Sequence, residues 1–176
     1  PDTNRLLTPE QIAEMEAGNA SRVFGTGMGA IHAAIISVMS AGKEIIADPV
    51  IYGCSYDSFG DIYSEFSWPV SFVDTSNLEQ VLSAINPRTR VIYLESPSNP
   101  NLKLTDVIAL RNMVNEINAR RKPADQIIII MDNTFATPYA SRALVQGADM
   151  SVLSLTKNMN GFGSRMGGAV TINDVK

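Results

Sequence analysis

The chain has 176 residues, a formal net charge of −4, one histidine and one cysteine. That length can bury a core, while an acidic balance without any basic run argues against nucleic acid or an anionic membrane surface as partner. Cys54, the single cysteine, excludes an internal disulfide and a cysteine-rich zinc site; no apolar run reaches the ~20 residues of a transmembrane helix, and the start shows no signal-peptide pattern.

A helix is predicted over 9–17, with Thr8 as N-cap, Pro9 at the first helical position, Gln11 completing a capping box and Gly18 stopping it. A short strand over 21–24 runs into Gly25-Thr26-Gly27-Met28-Gly29, and an apolar helix follows to about Met39, its end marked by Gly42. Next come a strand over 44–47, a loop at Asp48-Pro49, a helix over about 52–65 and a strand over 70–73. A helix over 78–85 leads to a strand over 90–94, the loop 96–100, a helix over 105–119 and a strand over 126–131. A short helix around 141–146 precedes a strand over 150–155, and 168–172 reads as a strand with nothing after it to pack on. His32 is expected to be a satisfied helix histidine, and Asn112, Asn115 and Asn118 a solvated helix face. The late strands are continuous apolar runs, Ile127-Ile128-Ile129-Ile130 above all, as in parallel strands covered on both faces. The fold class is therefore α/β, a mostly parallel sheet with helices on both faces.

In such sheets ligands sit beyond the carboxyl ends of the strands. This chain places the glycine turn after Phe24, Glu95, Ser96, Ser98 and Asn99 after Leu94, Asp132, Asn133 and Thr134 after Met131, and Ser154, Thr156 and Lys157 after Leu153. If the last three strands are neighbours, spacings of about 4.8 Å put Asn99, Asp132 and Lys157 within one ligand's reach. Taken singly, each has a plainer explanation as a turn residue, a helix cap or a solvated lysine.

The glycine turn points to an anion, since N–H groups of Gly27, Met28 and Gly29 at a helix start would cradle phosphate, with Ser154 and Thr156 adding hydroxyls. Asp132 ends a strand of isoleucines, where a carboxylate needs a cation such as a protonated ring nitrogen. Lys157 would be a nucleophilic amine able to form a Schiff base with an aldehyde, and Tyr52 could stack on a ring. Phosphate, pyridinium and aldehyde together describe pyridoxal 5′-phosphate.

At these residues the sequence resembles the cysteine/methionine-metabolism family of pyridoxal-phosphate enzymes: cystathionine synthases and lyases, methionine γ-lyase and homoserine sulfhydrylases. The matching pieces are Gly25-Thr26-Gly27-Met28-Gly29-Ala30-Ile31, Tyr52-Gly53-Cys54, Glu95-Ser96-Pro97-Ser98-Asn99-Pro100, Asp132-Asn133-Thr134-Phe135-Ala136-Thr137-Pro138, and Gly147-Ala148-Asp149 leading to Ser154-Leu155-Thr156-Lys157. The resemblance implies an aspartate-aminotransferase-like large domain over 1–176. It implies Lys157 as the cofactor-linked lysine, Asp132 as partner of the pyridine nitrogen, and Gly27, Met28, Ser154 and Thr156 on the phosphate. Tyr52 would stack on the ring, Asn99 would lie near its phenolic oxygen, and Cys54, next to the substrate, resembles methionine γ-lyases more than cystathionine enzymes. Implied with these are γ-elimination or γ-replacement on a sulfur amino acid, a cytoplasmic location, and a homo-oligomer built as a dimer of dimers.

The chain departs from the family pattern after the lysine, where Asn160-Gly161-Phe162-Gly163-Ser164-Arg165-Met166 stands in place of Asn-Gly-His and a nearby aspartate. The family's upstream Tyr-x-Arg segment and its C-terminal domain, with an arginine for the substrate carboxylate, fall outside these residues, so a piece of a longer protein is expected. Two rival readings are a dinucleotide-binding dehydrogenase, from Gly25-x-Gly27-x-x-Ala30 with Glu44 or Asp48 as ribose contact, and a scaffold that keeps the fold without the chemistry.

Overall fold

A computed structural model describes residues 7–160 and 165–173; Phe162 and Ser164 of the divergent loop lie outside the described residues. Helix α1 (Pro9–Glu16) starts with a reciprocal cap, Thr8 Oγ1 accepting the Gln11 N–H at 3.3 Å and Gln11 Oε1 accepting the Thr8 N–H at 2.9 Å. Ala17 rather than Gly18 takes the left-handed conformation that stops it (φ 56°). Strand β1 (Ala20–Phe24) leads through the N-cap Thr26 into α2 (Gly27–Val38). Met39 closes α2, and Gly42 (φ 79°) turns the chain beyond that end rather than at it.

After β2 (Glu44–Ala47), the helix predicted over 52–65 is α3 (Gly53–Asp57), a π-helical turn at Ser58–Ile62, and α4 (Tyr63–Glu65). In this stretch Phe59 and Tyr63 are both buried and stack with ring centroids 5.1 Å apart. The Tyr63 hydroxyl and His32 Nδ1 share a hydrogen bond at 2.8 Å, and burial holds the phenol protonated, so His32 is a satisfied helix histidine. The chain continues through β3 (Val70–Phe72), α5 (Leu78–Ala84), β4 (Thr89–Glu95) and α6 (Val107–Asn118). It ends with β5 (Ile128–Asp132), α7 (Thr137–Ala140), which the sequence reading missed, α8 (Ala143–Gln146), β6 (Met150–Ser154) and β7 (Gly168–Ile172). Asn118 corrects the expectation of a solvated asparagine face: it is buried and grips both the N–H and the carbonyl of Ile127, tying α6 to the sheet.

Among the described residues the strands form one seven-stranded sheet in the order β1-β7-β6-β5-β4-β2-β3. β3, β2, β4, β5 and β6 run parallel, and β7 alone is reversed against both of its neighbours. The strand expected over 168–172 is β7, and it does not depend on anything after it for packing. Its partners precede it in the chain, with Ile172 opposite Ala20 on one side and Met150 on the other.

Period-two alternation sorts the apolar runs between the two faces. Ile45, Val91, Tyr93, Ile130 and Val152 pack with α2, Phe59 and Tyr63, whereas Ile46, Ile92, Leu94, Ile129 and Met131 pack with α5 and α6. Each isoleucine buried this way contributes about 1.5–3 kcal/mol, which explains a run of four with no polar interruption. The same alternation puts Glu95, Asp132 and Ser154, each two residues beyond Tyr93, Ile130 and Val152, on the α2 side of the carboxyl edge.

Candidate active site

A cavity of about 550 Å³ opens at that edge beside the start of α2. Gly27, Met28, Tyr52, Asn99, Asp132, Ser154, Thr156 and Lys157 all line it, so the eight residues expected to hold one ligand are brought together. Cys54 is exposed and is not part of the wall; it sits two residues after Tyr52, and its side chain pushes the Tyr52 phenol upward.

The start of α2 reaches the end of β6 because residue 27 has no side chain. A Cβ there would lie 2.8 Å from Ser154 Cβ and 2.9 Å from Ser154 Oγ, closer than such atoms approach. Gly25 has open space around it, so the close approach is made at one glycine of the turn. Thr26 Oγ1 caps the helix by accepting the Gly29 N–H at 2.9 Å. The Gly29 donor, expected to face a ligand, is thus engaged within the chain. Gly27 and Met28, in the first turn, have no partner for their N–H groups within the helix.

Ser154 is tied to Asp132 through Thr134, which accepts the Ser154 N–H on its hydroxyl at 2.7 Å and donates its own N–H to Asp132 Oδ1 at 2.9 Å. Tyr93 donates its hydroxyl to Asp132 Oδ2 at 3.2 Å. Asp132 is 7% exposed, and burial raises its pKa above the usual carboxylate range. None of the ion pairs among the described residues involves it. A buried, hydrogen-bonded carboxylate facing a cavity without a cationic partner is what a ligand with a protonated ring nitrogen would complete.

Lys157 follows one turn after β6, its N–H donating to the Ser154 carbonyl at 3.2 Å, and its exposed side chain stands in the cavity wall. The Thr156 hydroxyl is engaged with the backbone of Gly167, accepting its N–H at 3.1 Å and reaching its carbonyl at 3.3 Å. Ser154 is therefore the freer of the two hydroxyls. Asn99 is exposed on the loop between β4 and α6, which Ser98 and Lys103 close on themselves through a 3.0 Å backbone bond.

Glu95, placed by the sequence reading among the polar residues after Leu94, is the site residue to which that reading gave no role. Its carboxyl accepts the Tyr52 N–H at 2.7 Å and also meets the Asn99 N–H. Burial first, then the charge of Asp132, push it up to about 8 against those two donors. The available signal was its position directly after the apolar run 91–94; that it lies opposite Asp132 is set by the pairing of β4 with β5. Thr134 was likewise placed at the strand ends without a role, and Tyr93 was missed because a buried tyrosine in a strand reads as core.

The dehydrogenase reading fails on placement. The Gly25-x-Gly27-x-x-Ala30 turn follows β1, an edge strand of the sheet. Glu44 starts a parallel strand, on the edge opposite the cavity, and is bonded to Ser71, Asn86 and Arg88. Asp48 is bonded to Thr75 and Lys103.

A family model described as Cys/Met metabolism PLP-dependent enzyme matches residues 2–176. The L-methionine gamma-lyase of Fusobacterium nucleatum subsp. polymorphum is 42% identical over 163 residues, 93% of this chain and 40% of its own. The cystathionine gamma-lyase of Bacillus subtilis (strain 168) is 34% identical over 159 residues, 90% of this chain and 40% of its own. The crystal structure of cystathionine gamma-lyase from Lactobacillus plantarum complexed with L-serine superposes with a TM-score of 0.86 at 33% identity, over 94% of this chain and 41% of that one. The chain thus spans about two fifths of the length of the curated relatives it matches.

Proposed function

The chain belongs to the Cys/Met-metabolism PLP-dependent enzymes, and from that premise we propose that it is the cofactor-binding large domain of a carbon–sulfur lyase converting L-methionine to 2-oxobutanoate, ammonia and methanethiol. The observation that carries the reading is the meeting of Asp132, Lys157 and the α2 start around one cavity. Identities of 38–42% to L-methionine gamma-lyases support the choice of substrate.

Pyridoxal phosphate, when bound, supplies an aldehyde that takes up an amine and a ring that accepts electrons. The rest falls to residues of this chain. The Gly27 and Met28 N–H groups and the Ser154 hydroxyl would hold the phosphate at the positive end of α2. Thr156 would join them only by giving up its bond to Gly167. Asp132, oriented by Tyr93 and Thr134, would favour a proton on the ring nitrogen by charge. Tyr52 would stack on the ring and Asn99 would lie near its phenolic oxygen. Lys157 would be the amine that holds the aldehyde, and the group that would move a proton at the substrate Cα. The remaining parts of the reading are a homo-oligomer built as a dimer of dimers and a cytoplasmic location; no helix among the described residues is long and apolar enough to cross a membrane.

A second reading, cleavage of cystathionine, is favoured by the 33–34% identities to cystathionine gamma-lyases. The full protein loaded with pyridoxal phosphate is to be assayed with methionine, cystathionine and an O-acylhomoserine. Methanethiol with 2-oxobutanoate from methionine, at the highest kcat/KM of the three, is the expected result. A preference for cystathionine moves the assignment to the second reading. A colourless protein, or one whose borohydride-reduced cofactor is not found on Lys157, overturns the site.

A further inference from the structure

Glu95 and Asp132 are directly opposite each other at the ends of β4 and β5, on strands about 4.8 Å apart. Both are 7% exposed, both line the cavity, and both point to the α2 side of the sheet. Each is held by different donors: Asp132 by Tyr93 and Thr134, Glu95 by the N–H groups of Tyr52 and Asn99. Glu95 therefore grips the residue that carries the Tyr52 ring into the wall while lying against the carboxylate assigned to the ring nitrogen.

We propose that Glu95 is a positioning residue that couples the Tyr52 wall of the cavity to the charge at Asp132: a cationic ring bound at Asp132 releases the Glu95 proton to solvent, and the carboxylate so formed strengthens its hold on the Tyr52 N–H. The proposal rests on the cofactor reading above for the cation alone. Two buried carboxyls on directly paired residues do not both ionise readily. The groups facing Glu95 are Asp132 from β5, Asp48 from the end of β2 with Lys103 paired to it, Tyr93 on its own strand, Tyr52 just before α3, and Lys157 across the cavity. Burial and the Asp132 charge leave Glu95 protonated at neutral pH, with a value of about 8. A cation at Asp132 cancels the second cause and lowers the Glu95 value. Binding then releases a proton in the interval between the lowered value and about 8, and affinity gains with rising pH across it.

Two measurements test this. Carboxyl-carbon NMR titration of the cofactor-free protein should give Glu95 a midpoint near 8, falling in Asp132→Asn. A midpoint in the ordinary glutamate range near ~4.3 overturns the proposal. Pyridoxal phosphate dissociation constants are then compared between wild type and Glu95→Gln, which keeps an acceptor for the Tyr52 N–H. The advantage of wild type should grow from near onefold at about pH 6 to roughly tenfold at about pH 9, tenfold being one unit of lowered pKa. A role confined to folding leaves that ratio independent of pH and overturns the inference with the cofactor reading intact. No binding of pyridoxal phosphate by wild type at any pH overturns both.

Discussion

Residue 27 and Ser154 are separated by less than a side chain: the Cβ that Gly27 lacks would fall 2.8 Å from Ser154 Cβ. Gly27→Ala must push the first turn of α2 off the end of β6, at about 1–3 kcal/mol for overpacking. The same shift takes two N–H donors away from the Ser154 hydroxyl. Thermal unfolding and pyridoxal phosphate titration should show both losses. Gly25→Ala, whose Cβ meets nothing within 4 Å, serves as the control, expected to stay within about 0.5 kcal/mol of wild type.

Tyr93→Phe preserves the edge-on ring contact with Phe59 at 4.8 Å but removes the hydroxyl from Asp132 Oδ2. A buried acceptor left short of its donor costs about 1–3 kcal/mol. Loss of that bond also raises the Asp132 pKa further, since the hydroxyl favours the carboxylate. Cofactor affinity should fall about tenfold or more, with the greater loss toward acid pH. Absorbance titrations at several pH values check it.

Glu16 is fully buried; its Oε1 accepts from Asn133 Nδ2 at 2.9 Å and Ser151 Oγ at 2.7 Å. Among the described residues, its Oε2 and the Asn133 Oδ1 have no partner. Burial raises the Glu16 pKa, so the folded state favours the protonated form. The stability this contributes is complete below the unfolded value of ~4.3 and is lost as pH rises through the raised folded value. Glu16→Gln offers an N–H to the Asn133 oxygen and carries no charge to bury. Its urea midpoint should stay level between about pH 5 and about pH 8 while that of wild type declines, leaving the variant ahead by about 1 kcal/mol at the upper end.

Lys103 Nζ lies 2.9 Å from Asp48 Oδ2 and 2.8 Å from Asp74 Oδ1, with Asp48 only 1% exposed. Lys103→Met strands the Asp48 carboxylate. Its bonds from Thr75 and the Val50 N–H remain, and the lysine is partly in water, so the cost is expected at about 2–3 kcal/mol, below that of a fully buried pair. Asp48→Asn in the Lys103→Met background should recover part of it, as chemical denaturation will show.

The strand ends were readable because apolar runs stop there at polar residues, which is how Asp132, Ser154 and the lysine beyond them stood out. What stayed hidden depends on partners far away in the chain. The Gly29 N–H and the Thr156 hydroxyl looked available to a ligand until the structure showed them bound to Thr26 and Gly167. Glu95 and Tyr93 are brought to Asp132 by a strand pairing that no local pattern specifies. The partners of β7 were invisible for the same reason, and the π-helical turn at Ser58–Ile62 follows from packing Phe59 and Tyr63 rather than from local spacing.

The reversed strand β7 also sets an order on biosynthesis. A Cβ at Gly168 would run into the Thr26 carbonyl, so the backbone of this strand forms the floor under the turn that opens α2. On the ribosome, Thr26 emerges long before Gly168, and until β7 threads between β1 and β6 the nascent polypeptide carries two bare sheet margins, each a template for another chain. Cells making this protein should need holdase protection for that interval, and translation stalled just short of residue 168 should yield aggregates rather than a soluble intermediate.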